Sequence, residues 1–450
     1  MHILQYYSSK HIFAALPLLL LSSLLYAQVQ WQLLGLQDEA ISALAIDPAS
    51  PNVIYAGSTG SISQAIPGGV FRTTNVGATW DTLLRGAYVV EVIPHPHQGE
   101  TVYVASRFPP LVLKTLDGGV NWFRADSGIT LDFEEGPIAL AMNPSRPETL
   151  YCGTGGQHGG TLYKTTNGGL FWFPLHCDSL TPPIPPCAQL QTSITAIELD
   201  HQHPETLYVA TTFASVVKST DGGLNWLATG PWNNRDAYDM AIDPFDNQKV
   251  YAGVSRRGLW RSTNGGTVWG RLPLGLPDTL LTVLSIAISE QRLGELYCAW
   301  GWASRFQLSR SVDGGFTWSS MEFPGAAGKL AVLPDSNILY VGSFAGVYRK
   351  EILLSAREDE IKSKEYHLYQ SFPNPFNGTT MIRFRLAREG AVDLRVYDVL
   401  GREVRRIARD VFNAGEQAVI FEADGLASGV YFYSIASRDF FAIRRMVLLR

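Results

Sequence analysis

The sequence predicts an all-β protein: a seven-bladed β-propeller closed by an N-terminal strand, followed by a small C-terminal immunoglobulin-like β-sandwich. Three observations predict this fold. An eight-residue turn phrase recurs six times, a strand–turn–strand phrase recurs seven times, and residues 366–450 contain neither. The 450 residues include 42 Gly, 19 Tyr and 11 Trp but only 17% charged residues, as is typical of β-rich chains with many turns.

The eight-residue phrase is typical of a tight hairpin. It begins with Ser or Thr, has Asp or Asn two residues later and Gly two residues after that, and ends in Trp. Asp and Asn bond nearby backbone N–H groups through their side chains, Gly adopts a positive φ, and Trp buries its ring. We expect these residues to be structural. The six pairs are Asn75 and Trp80, Asp117 and Trp122, Asn167 and Trp172, Asp221 and Trp226, Asn264 and Trp269, and Asp313 and Trp318.

The phrase resembles the Asp-box, or BNR, repeat of sialidases, sortilin-type receptors, xyloglucanases and photosystem assembly factors, and it is called the Asp-box below. In that family the box is structural and lies away from the ligand. The resemblance therefore implies a β-propeller whose ligand binds elsewhere. The alternative, that the Asp and Asn side chains bind calcium, stays open at this stage.

The blade count follows from a mismatch between the two phrases. After the seventh strand–turn–strand copy, residues 346–349 match the strand that elsewhere leads into an Asp-box, but no box follows. Residues 29–34 match the strand that elsewhere follows a box, with Trp31 in the place of the box Trp. The N-terminus is therefore predicted to complete the last blade. Residues 28–349 then form seven blades of the usual length, with no open sheet edge.

The flanking segments indicate an exported protein. Residues 1–27 are predicted to be a signal peptide, with Lys10 before the apolar run 12–25 and a cleavage site after Ala27. Residues 350–365 are charged and are predicted to be a linker. Cys177 and Cys187 flank a proline-rich stretch and are predicted to form a disulfide, whereas Cys152 and Cys298 are expected to be buried core residues.

Residues 366–450 form a separate module with the alternating pattern of half-buried strands. The module resembles the type A C-terminal sorting domain of the type IX secretion system of the Bacteroidetes group. The matching phrases are LYQSFPNPFNGTTMIRF (368–384), VYDVLGREV (396–404), NAGEQAVIFEADGLASGVYFY (413–433) and MVLLR (446–450), with Gly378 where the family usually has Pro. The resemblance implies that residues 366–450 bind the type IX machinery, and that the cargo is released or attached to the outer cell surface.

Motifs of catalysis are absent from the sequence. It contains no G-x-S-x-G elbow, no phosphate-binding loop, no H-E-x-x-H and no zinc-ligand spacing, so we expect no catalytic residues of those classes, no metal and no cofactor. The net charge of −5 argues against nucleic acid as a partner. The pairs His95/His97 and His201/His203 are interpreted as solvated turn residues. A monomer is expected.

Topology predicts where a ligand binds. In a four-stranded meander, the loops between second and third strands share one face with the connections between blades, and these segments are long and rich in Arg and Trp. Arginine and tryptophan side chains suit carboxylate capture, sugar stacking or a protein contact. The candidate ligand-binding residues are Arg107, Glu134, Trp232, Arg235, Asp236, Arg256, Arg257, Trp300, Trp302 and Arg305.

Three functional classes remain open. The first is a secreted or cell-surface binding or scaffold propeller without catalytic activity, with an unknown glycan or protein ligand. The second is a secreted glycoside hydrolase or lyase acting on a polysaccharide, in which Glu134 or Glu135 would need a partner carboxylate such as Asp236 at about 5–10 Å. The third is an assembly factor of the photosystem-helper kind.

Overall fold

The computed structural model describes most of the chain, and in these residues all regular secondary structure is β. They fall into two compact units, residues 1–352 and residues 353–450. The described residues are 30–61, 66–131, 135–156, 159–175, 193–212, 215–230, 236–272, 281–292, 294–302, 305–315, 317–333, 337–352, 366–371, 373–387, 389–399, 402–413, 415–437 and 440–449.

The described residues of the first unit form seven four-stranded antiparallel sheets, called blades 1 to 7 in chain order. Blade 7 begins with β1 (Gln32–Gly35). Blade 1 is β2 (Ile41–Ile46), β3 (Ile54–Ser61), β4 (Ile66–Thr73) and β5 (Asp81–Arg85), and blade 2 is β6 (Tyr88–His95), β7 (Gln98–Phe108), β8 (Leu111–Thr115) and β9 (Phe123–Arg124). Blade 3 is β10 (Gly136–Met142), β11 (Leu150–Gly155), β12 (Leu162–Thr165) and β13 (Phe173–Pro174).

The remaining blades repeat the same order. Blade 4 is β14 (Ile194–Leu199), β15 (Leu207–Thr211), β16 (Ser215–Ser219) and β17 (Leu227–Ala228), and blade 5 is β18 (Ala237–Ile242), β19 (Val250–Val254), β20 (Gly258–Ser262) and β21 (Trp269–Arg271). Blade 6 is β22 (Thr282–Ile288), β23 (Leu296–Trp302), β24 (Arg305–Ser311) and β25 (Ser319–Met321). Blade 7 adds β26 (Ala327–Val332), β27 (Ile338–Ser343) and β28 (Gly346–Glu351) to β1.

The blades form a ring. The inner strand of each blade packs against the inner strand of the next, and β26 of blade 7 packs against β2 of blade 1. A buried hydrophobic cluster lies between neighbouring blades; between blades 1 and 2 it includes Tyr55, Val70, Val89 and Val104. This arrangement confirms the predicted β-propeller class.

Strand β1 completes blade 7 by pairing with β28, with Gln32 opposite Arg349 and Leu33 opposite Tyr348. Trp31 supports the pairing, because its indole N–H donates to the carbonyl of Glu322 and its ring lies edge-on to Phe323 at 4.9 Å. Blade 7 ends slightly later than residue 349, since β28 continues to Glu351 and Ile352 is buried.

Three box tryptophans, Trp80, Trp122 and Trp172, join neighbouring blades in the same way as Trp31, whereas Trp226 and Trp318 donate to a carbonyl of their own box. The indole N–H of Trp80 donates to the carbonyl of Leu34 at 3.1 Å, and that of Trp122 donates to Leu83 at 3.2 Å. In both pairs the acceptor lies in the outer strand of the preceding blade. Trp31 therefore occupies the box position in the sequence and also bonds the preceding blade as Trp80 and Trp122 do.

Each Asp-box is a closed hydrogen-bonded turn. In the fourth box the hydroxyl of Ser219 donates to Oδ1 of Asp221 at 2.8 Å and accepts from the N–H of Gly223 at 2.9 Å. Oδ1 of Asp221 also accepts from the N–H of Asn225 at 2.8 Å. The side-chain oxygens of Ser219 and Asp221 thus accept hydrogen bonds from backbone N–H groups of the same turn. In the second box the same bonds, from the backbone and side chain of Asn121 and then from Thr115, lower the pKa of Asp117 to about 2.

Replacing Asp221 by Ala is expected to destabilise the propeller by roughly 1–2 kcal/mol, because the N–H of Asn225 and the hydroxyl of Ser219 lose their acceptor. The matched control is Asp221→Asn, since Asn75, Asn167 and Asn264 fill the same place in three other boxes. Urea unfolding of both variants measures the effect. Equal destabilisation by Ala and Asn would contradict the structural role of the side-chain oxygen.

A second repeated device joins the blades. The residue before the first box residue is Lys or Arg, and it donates to the carbonyl of the fourth box residue, Gly, in the next blade: Lys164 to Gly222 at 2.8 Å and Lys218 to Gly265 at 2.9 Å. The ammonium of Lys164 also lies 5.2 Å from the ring centroid of Tyr151. Gly222 has a φ of +71°, and a Cβ there would meet Nζ of Lys164 at 2.9 Å. The positive φ favours glycine here, and a Cβ would also displace the ends of the Glu205 and Lys164 side chains.

The joint between blades 6 and 7 uses a buried ion-pair cluster instead, because blade 7 has no Asp-box. Nε of Arg310, in the position of Lys164, donates to Oε1 of Glu295 at 2.7 Å. Arg292 donates to the same carboxylate at 3.2 Å and also to Asn337 of blade 7. Tyr297 completes the set, donating its hydroxyl to Glu295 at 2.7 Å. Within this cluster the Arg292–Asn337 bond reaches blade 7, whereas the bonds to Glu295 lie within blade 6 and hold Arg292 in place.

The second unit is a two-sheet sandwich. Its strands are β29 (His367–Leu368), β30 (Thr379–Leu386), β31 (Gly390–Tyr397), β32 (Glu403–Phe412), β33 (Gly415–Glu422), β34 (Gly429–Ser437) and β35 (Phe440–Leu448). One sheet has the order β29-β30-β33 and the other β32-β31-β34-β35. Alternate residues of both sheets, such as Phe384, Leu394 and Tyr433, are buried in one shared core. The predicted sandwich is confirmed.

Candidate functional site

The two ends of the ring carry different segments of the chain. The box face carries the Asp-boxes and the turns between first and second strands. The loop face carries the turns between second and third strands and the connections between blades, for example residues 255–257 and 86–87. Polar side chains of the box-face turns are largely engaged in hydrogen bonds within those turns. The loop face exposes aromatic and arginine side chains at three places.

The first place is in blade 2 and consists of Tyr88, Arg107 and Phe108, here called the blade-2 cluster. Tyr88 and Phe108 are directly opposite in the β6–β7 pairing, and their rings lie edge to face at 5.9 Å. The two residues are 38% and 55% exposed. The guanidinium of Arg107 lies 5.8 Å from the Phe108 ring centroid, and its Nε is buried without a hydrogen-bond partner among the described residues.

The second place is in blade 5. The hydroxyl of Tyr238 donates to Oδ2 of Asp236 at 3.4 Å, and Asp236 accepts the N–H of Ser255 through its carbonyl. Arg256 is exposed and has a φ of +53°, a conformation that costs a non-glycine residue about 1–2 kcal/mol. The N–H of Arg256 donates to the hydroxyl of Thr282, at 3.3 Å. Arg257 beside it is exposed too.

The third place lies where blades 6 and 7 meet. Phe306 of β24 and Phe344, in the turn between β27 and β28, contact each other with ring centroids 5.7 Å apart. Phe344 is 63% exposed. Aromatic pairs therefore occur on two separated parts of the loop face.

Charged side chains of four inner strands interact on the axis of the ring. Glu91 and Asp239 occupy the position where β2, β10 and β14 have alanine, and Lys329 lies at the corresponding position of β26. Nζ of Lys329 lies 3.8 Å from Oε2 of Glu91, although their blades are not neighbours. Such a contact is possible only across the central channel. Glu198 lies two residues further along β14.

The charged groups in the central channel change one another's pKa values. Burial, then the nearby carboxylates of Asp239 and Glu91, raise the pKa of Glu198 to about 8, so this carboxyl keeps its proton at neutral pH. Burial also raises the pKa of Glu91, which Lys329 opposes. The pKa of Lys329 is raised by Glu91 first and by Asp239 second, so the amine is charged. Oδ2 of Asp239 accepts the N–H of Ile286 at 2.8 Å and so joins blades 5 and 6.

The structure places the predicted site residues unevenly. Arg107, Asp236, Arg256 and Arg257 lie on the loop face. Trp302 and Arg305 are opposite each other at the ends of β23 and β24, inside a longer hairpin than the sequence suggested. Three predicted residues lie outside the described part of the chain, and so does the predicted disulfide: they are Glu134, Trp232 and Arg235, and Cys177 with Cys187.

The assignment of Trp300 to the ligand-binding surface is wrong. β23 continues through residue 302, so Trp300 lies within the strand, is 4% exposed and packs in the core between blades 5 and 6. Its indole N–H donates to the hydroxyl of Ser309 at 2.9 Å. The interpretation of His95 as a solvated turn residue is also wrong, because His95 is 5% exposed.

Sequence reasoning missed Tyr238, Phe306 and the channel charges. A signal for the channel was present: Glu91, Glu198 and Asp239 interrupt inner strands at positions where the other repeats have small or apolar residues. Which of these charges meet could not be read from spacing, since Lys329 and Glu91 belong to blades 7 and 2.

The described residues contain no group of three or more side chains suited to hold a metal ion. Within the same residues, no helix is long and apolar enough to cross a membrane. Cys152 and Cys298 are buried free thiols, and burial raises the pKa of both.

The fold and its C-terminal module define a secreted β-propeller with Asp-box repeats. Residues 370–448 match the family model described as the secretion system C-terminal sorting domain. This domain indicates export by type IX secretion to the cell surface or to the outside. The prediction of a sorting domain at the C-terminus is therefore confirmed.

Relatives of the propeller are known among curated proteins. A xyloglucanase of Paenibacillus sp is 26% identical over 311 residues, which is 63% of this chain and 27% of that enzyme. The vacuolar protein sorting/targeting protein 10 of Emericella nidulans is 26% identical over 104 residues, or 22% of this chain and 7% of that protein. The chain thus spans about a quarter or less of the curated relatives that it matches.

Solved structures show the same fold. The GH74 enzyme of Niastella koreensis aligns with a TM-score of 0.56 at 14% identity, covering 92% of this chain and 73% of that one. YCF48 from Cyanidioschyzon merolae aligns with a TM-score of 0.53 at 18% identity, covering 71% and 98%. A further similar structure is of YCF48 bound to D1 peptide, with a TM-score of 0.52 at 16% identity and coverage of 73% and 96%.

Proposed function

We propose that this protein is a non-catalytic, exported propeller that binds a polysaccharide on its loop face. The observation that carries the proposal is the blade-2 cluster: two large rings stand half-exposed on the loop face with an arginine beside them. A ring exposed in this way loses water-contacting apolar surface when it packs against the apolar face of a sugar, and the arginine donates to hydroxyl or carboxylate oxygens.

Two further features support the same face. Arg256 and Arg257 extend the set of exposed donors in blade 5, and the Phe306–Phe344 pair extends the set of rings toward blade 7. The similarity to xyloglucanases makes xyloglucan the first polysaccharide to test. The box face is less suited, because the Asp and Asn side-chain oxygens of its turns are engaged in hydrogen bonds within those turns.

The test is binding of the full chain to soluble xyloglucan, followed by affinity electrophoresis or calorimetry. Phe108→Ala and Arg256→Ala are each expected to weaken binding about tenfold, the equivalent of one lost contact of about 1.4 kcal/mol, with an unchanged melting temperature. Leu224→Ala is the control, since Leu224 is 67% exposed on the box face. Binding that is sensitive to Leu224 but not to Phe108 or Arg256 would contradict the proposal, and binding to a protein ligand alone would replace the polysaccharide.

One observation favours an enzymatic alternative, a glycoside hydrolase. Glu198 has a pKa of about 8 and interacts with Glu91 and Asp239, and a carboxyl that keeps its proton beside other carboxyl groups is an arrangement that acid–base catalysis uses. A binding protein is preferred because Glu91 is paired with Lys329 and Asp239 is bonded to the backbone of blade 6. Release of reducing ends from xyloglucan by the wild type, lost in Glu198→Gln, would establish the hydrolase. A wild type that releases no reducing ends would exclude hydrolase activity on xyloglucan.

A further inference from the structure

In blades 1 to 6 the first turn is held by a side-chain acceptor at the end of the inner strand, a position that is Leu333 in blade 7. In blade 4, Oδ1 of Asp200 accepts the N–H groups of Gln202 and His203 at 2.8 and 3.1 Å. In blade 3, Oδ1 of Asn143 accepts those of Ser145 and Arg146, both at 3.0 Å. Blades 1, 5 and 6 use Asp47, Asp243 and Ser289 in the same way.

Blade 2 uses a histidine for this purpose. Nδ1 of His95 accepts the N–H of His97 and the N–H of Gln98, both at 3.1 Å. Because Nδ1 accepts two hydrogen bonds, it carries no proton, and the ring proton of the neutral imidazole is on Nε2. The ring is 5% exposed. Unlike Asn or Ser, this acceptor disappears when it binds a proton within the mildly acidic range.

The surroundings of His95 oppose its charged form on balance. Burial is the largest effect and lowers the pKa of His95, and His97 and Lys114 lower it further. Glu148 of the neighbouring blade acts in the opposite direction. Lys114 comes from β8, Glu148 from the first turn of blade 3, and His97 from the same turn, with its ring 6.1 Å from that of His95.

We propose that the β6–β7 turn is a proton-sensitive element: protonation of His95 at Nδ1 opens this turn while the first turns of the other blades stay closed. Protonation would place an N–H of the ring against two backbone N–H groups, so both hydrogen bonds are lost together. The sign follows from linkage. A histidine whose folded pKa is depressed contributes its stability fully above the unfolded pKa of about 6.5, and this stability is lost as the pH falls through that value.

Hydrogen exchange of the full chain tests this inference. Protection of the amides of His97 and Gln98, corrected for intrinsic exchange, is measured at about pH 7.5 and about pH 5.5, on both sides of the ordinary histidine pKa. We expect the wild type to lose protection at the lower pH, by up to about tenfold, because an open-state pKa of about 6.5 lies one unit above pH 5.5. In His95→Asn the turn has the acceptor that blade 3 uses, so protection should not change with pH. His97→Asn is the matched control and should behave as the wild type does.

Two outcomes would overturn the inference. One is a wild type whose β6–β7 amides stay equally protected at both pH values. The other is a His95→Asn variant that loses protection as the wild type does. Should His95→Asn fail to fold, titration of the His95 ring in the wild type by NMR decides the question, and a pKa at or above the ordinary value of about 6.5 contradicts it.

Discussion

A chain that begins at residue 36 is expected to lose its cooperative fold, whereas a chain that begins at residue 30 should unfold like the full chain. The difference is β1. Its removal exposes the edge of β28 and takes away Trp31, which packs on Phe323. It also removes the carbonyl of Leu34 that accepts from Trp80. Burial of one large apolar side chain contributes about 1.5–3 kcal/mol. Loss of several such contacts approaches the whole stability of about 5–15 kcal/mol that domains have.

Thermal and urea unfolding of the two shortened chains measure this effect. Both lack residues 1–29, so they differ only in the closing strand. A chain from residue 36 that melts as sharply and as high as the chain from residue 30 would contradict closure of the ring by β1. Trp31→Ala is a milder test of the same joint and should fall between them.

Deletion of residues 366–450 is expected to abolish export in a bacterium with type IX secretion, while the propeller still folds. The chain divides into two compact units, residues 1–352 and 353–450, and the sorting-domain match covers residues 370–448. Because a signal peptide is predicted for residues 1–27, the shortened protein should cross the inner membrane and accumulate behind the outer one. Fractionation with protease accessibility measures its location.

The control for this experiment is the intact chain in the same strain, which should reach the cell surface or the medium. A second control is the intact chain in a strain without a working type IX system, which should behave like the deletion. Normal amounts of the shortened protein outside the cell would contradict the role of the module. An unfolded shortened protein would contradict the independence of the two units.

Much of the fold could be predicted because the contacts of each Asp-box are between residues that are close in sequence. Ser219, Asp221 and Gly223 are close in sequence, and their contacts are with one another. The closing strand β1 was recognisable because Trp31 stands where the box Trp stands in the other repeats. The joint between blades 6 and 7 was not recognisable, because the Arg292–Asn337 bond and the pairing of Glu295 with Arg292 and Arg310 have no counterpart in the repeated phrases.

The candidate site was predicted only in part, since strand ends and long-range contacts decide it. Trp300 was assigned to a loop because nothing local shows that β23 continues to residue 302. Tyr88 and Phe108 are twenty residues apart in the sequence, and the register of β6 and β7 brings them together. The pair Lys329 and Glu91 depends on the closed ring itself.

Hydrogen exchange of the full chain with and without xyloglucan oligosaccharide tests the central claim, that the loop face binds a polysaccharide. We expect added protection in the loop-face turns of blades 2, 5 and 7, around Phe108, Arg256 and Phe344, and none in the Asp-box turns. Protection confined to the Asp-boxes would place the ligand on the opposite face. Protection nowhere, at concentrations that saturate a known xyloglucan-binding protein, would contradict polysaccharide binding.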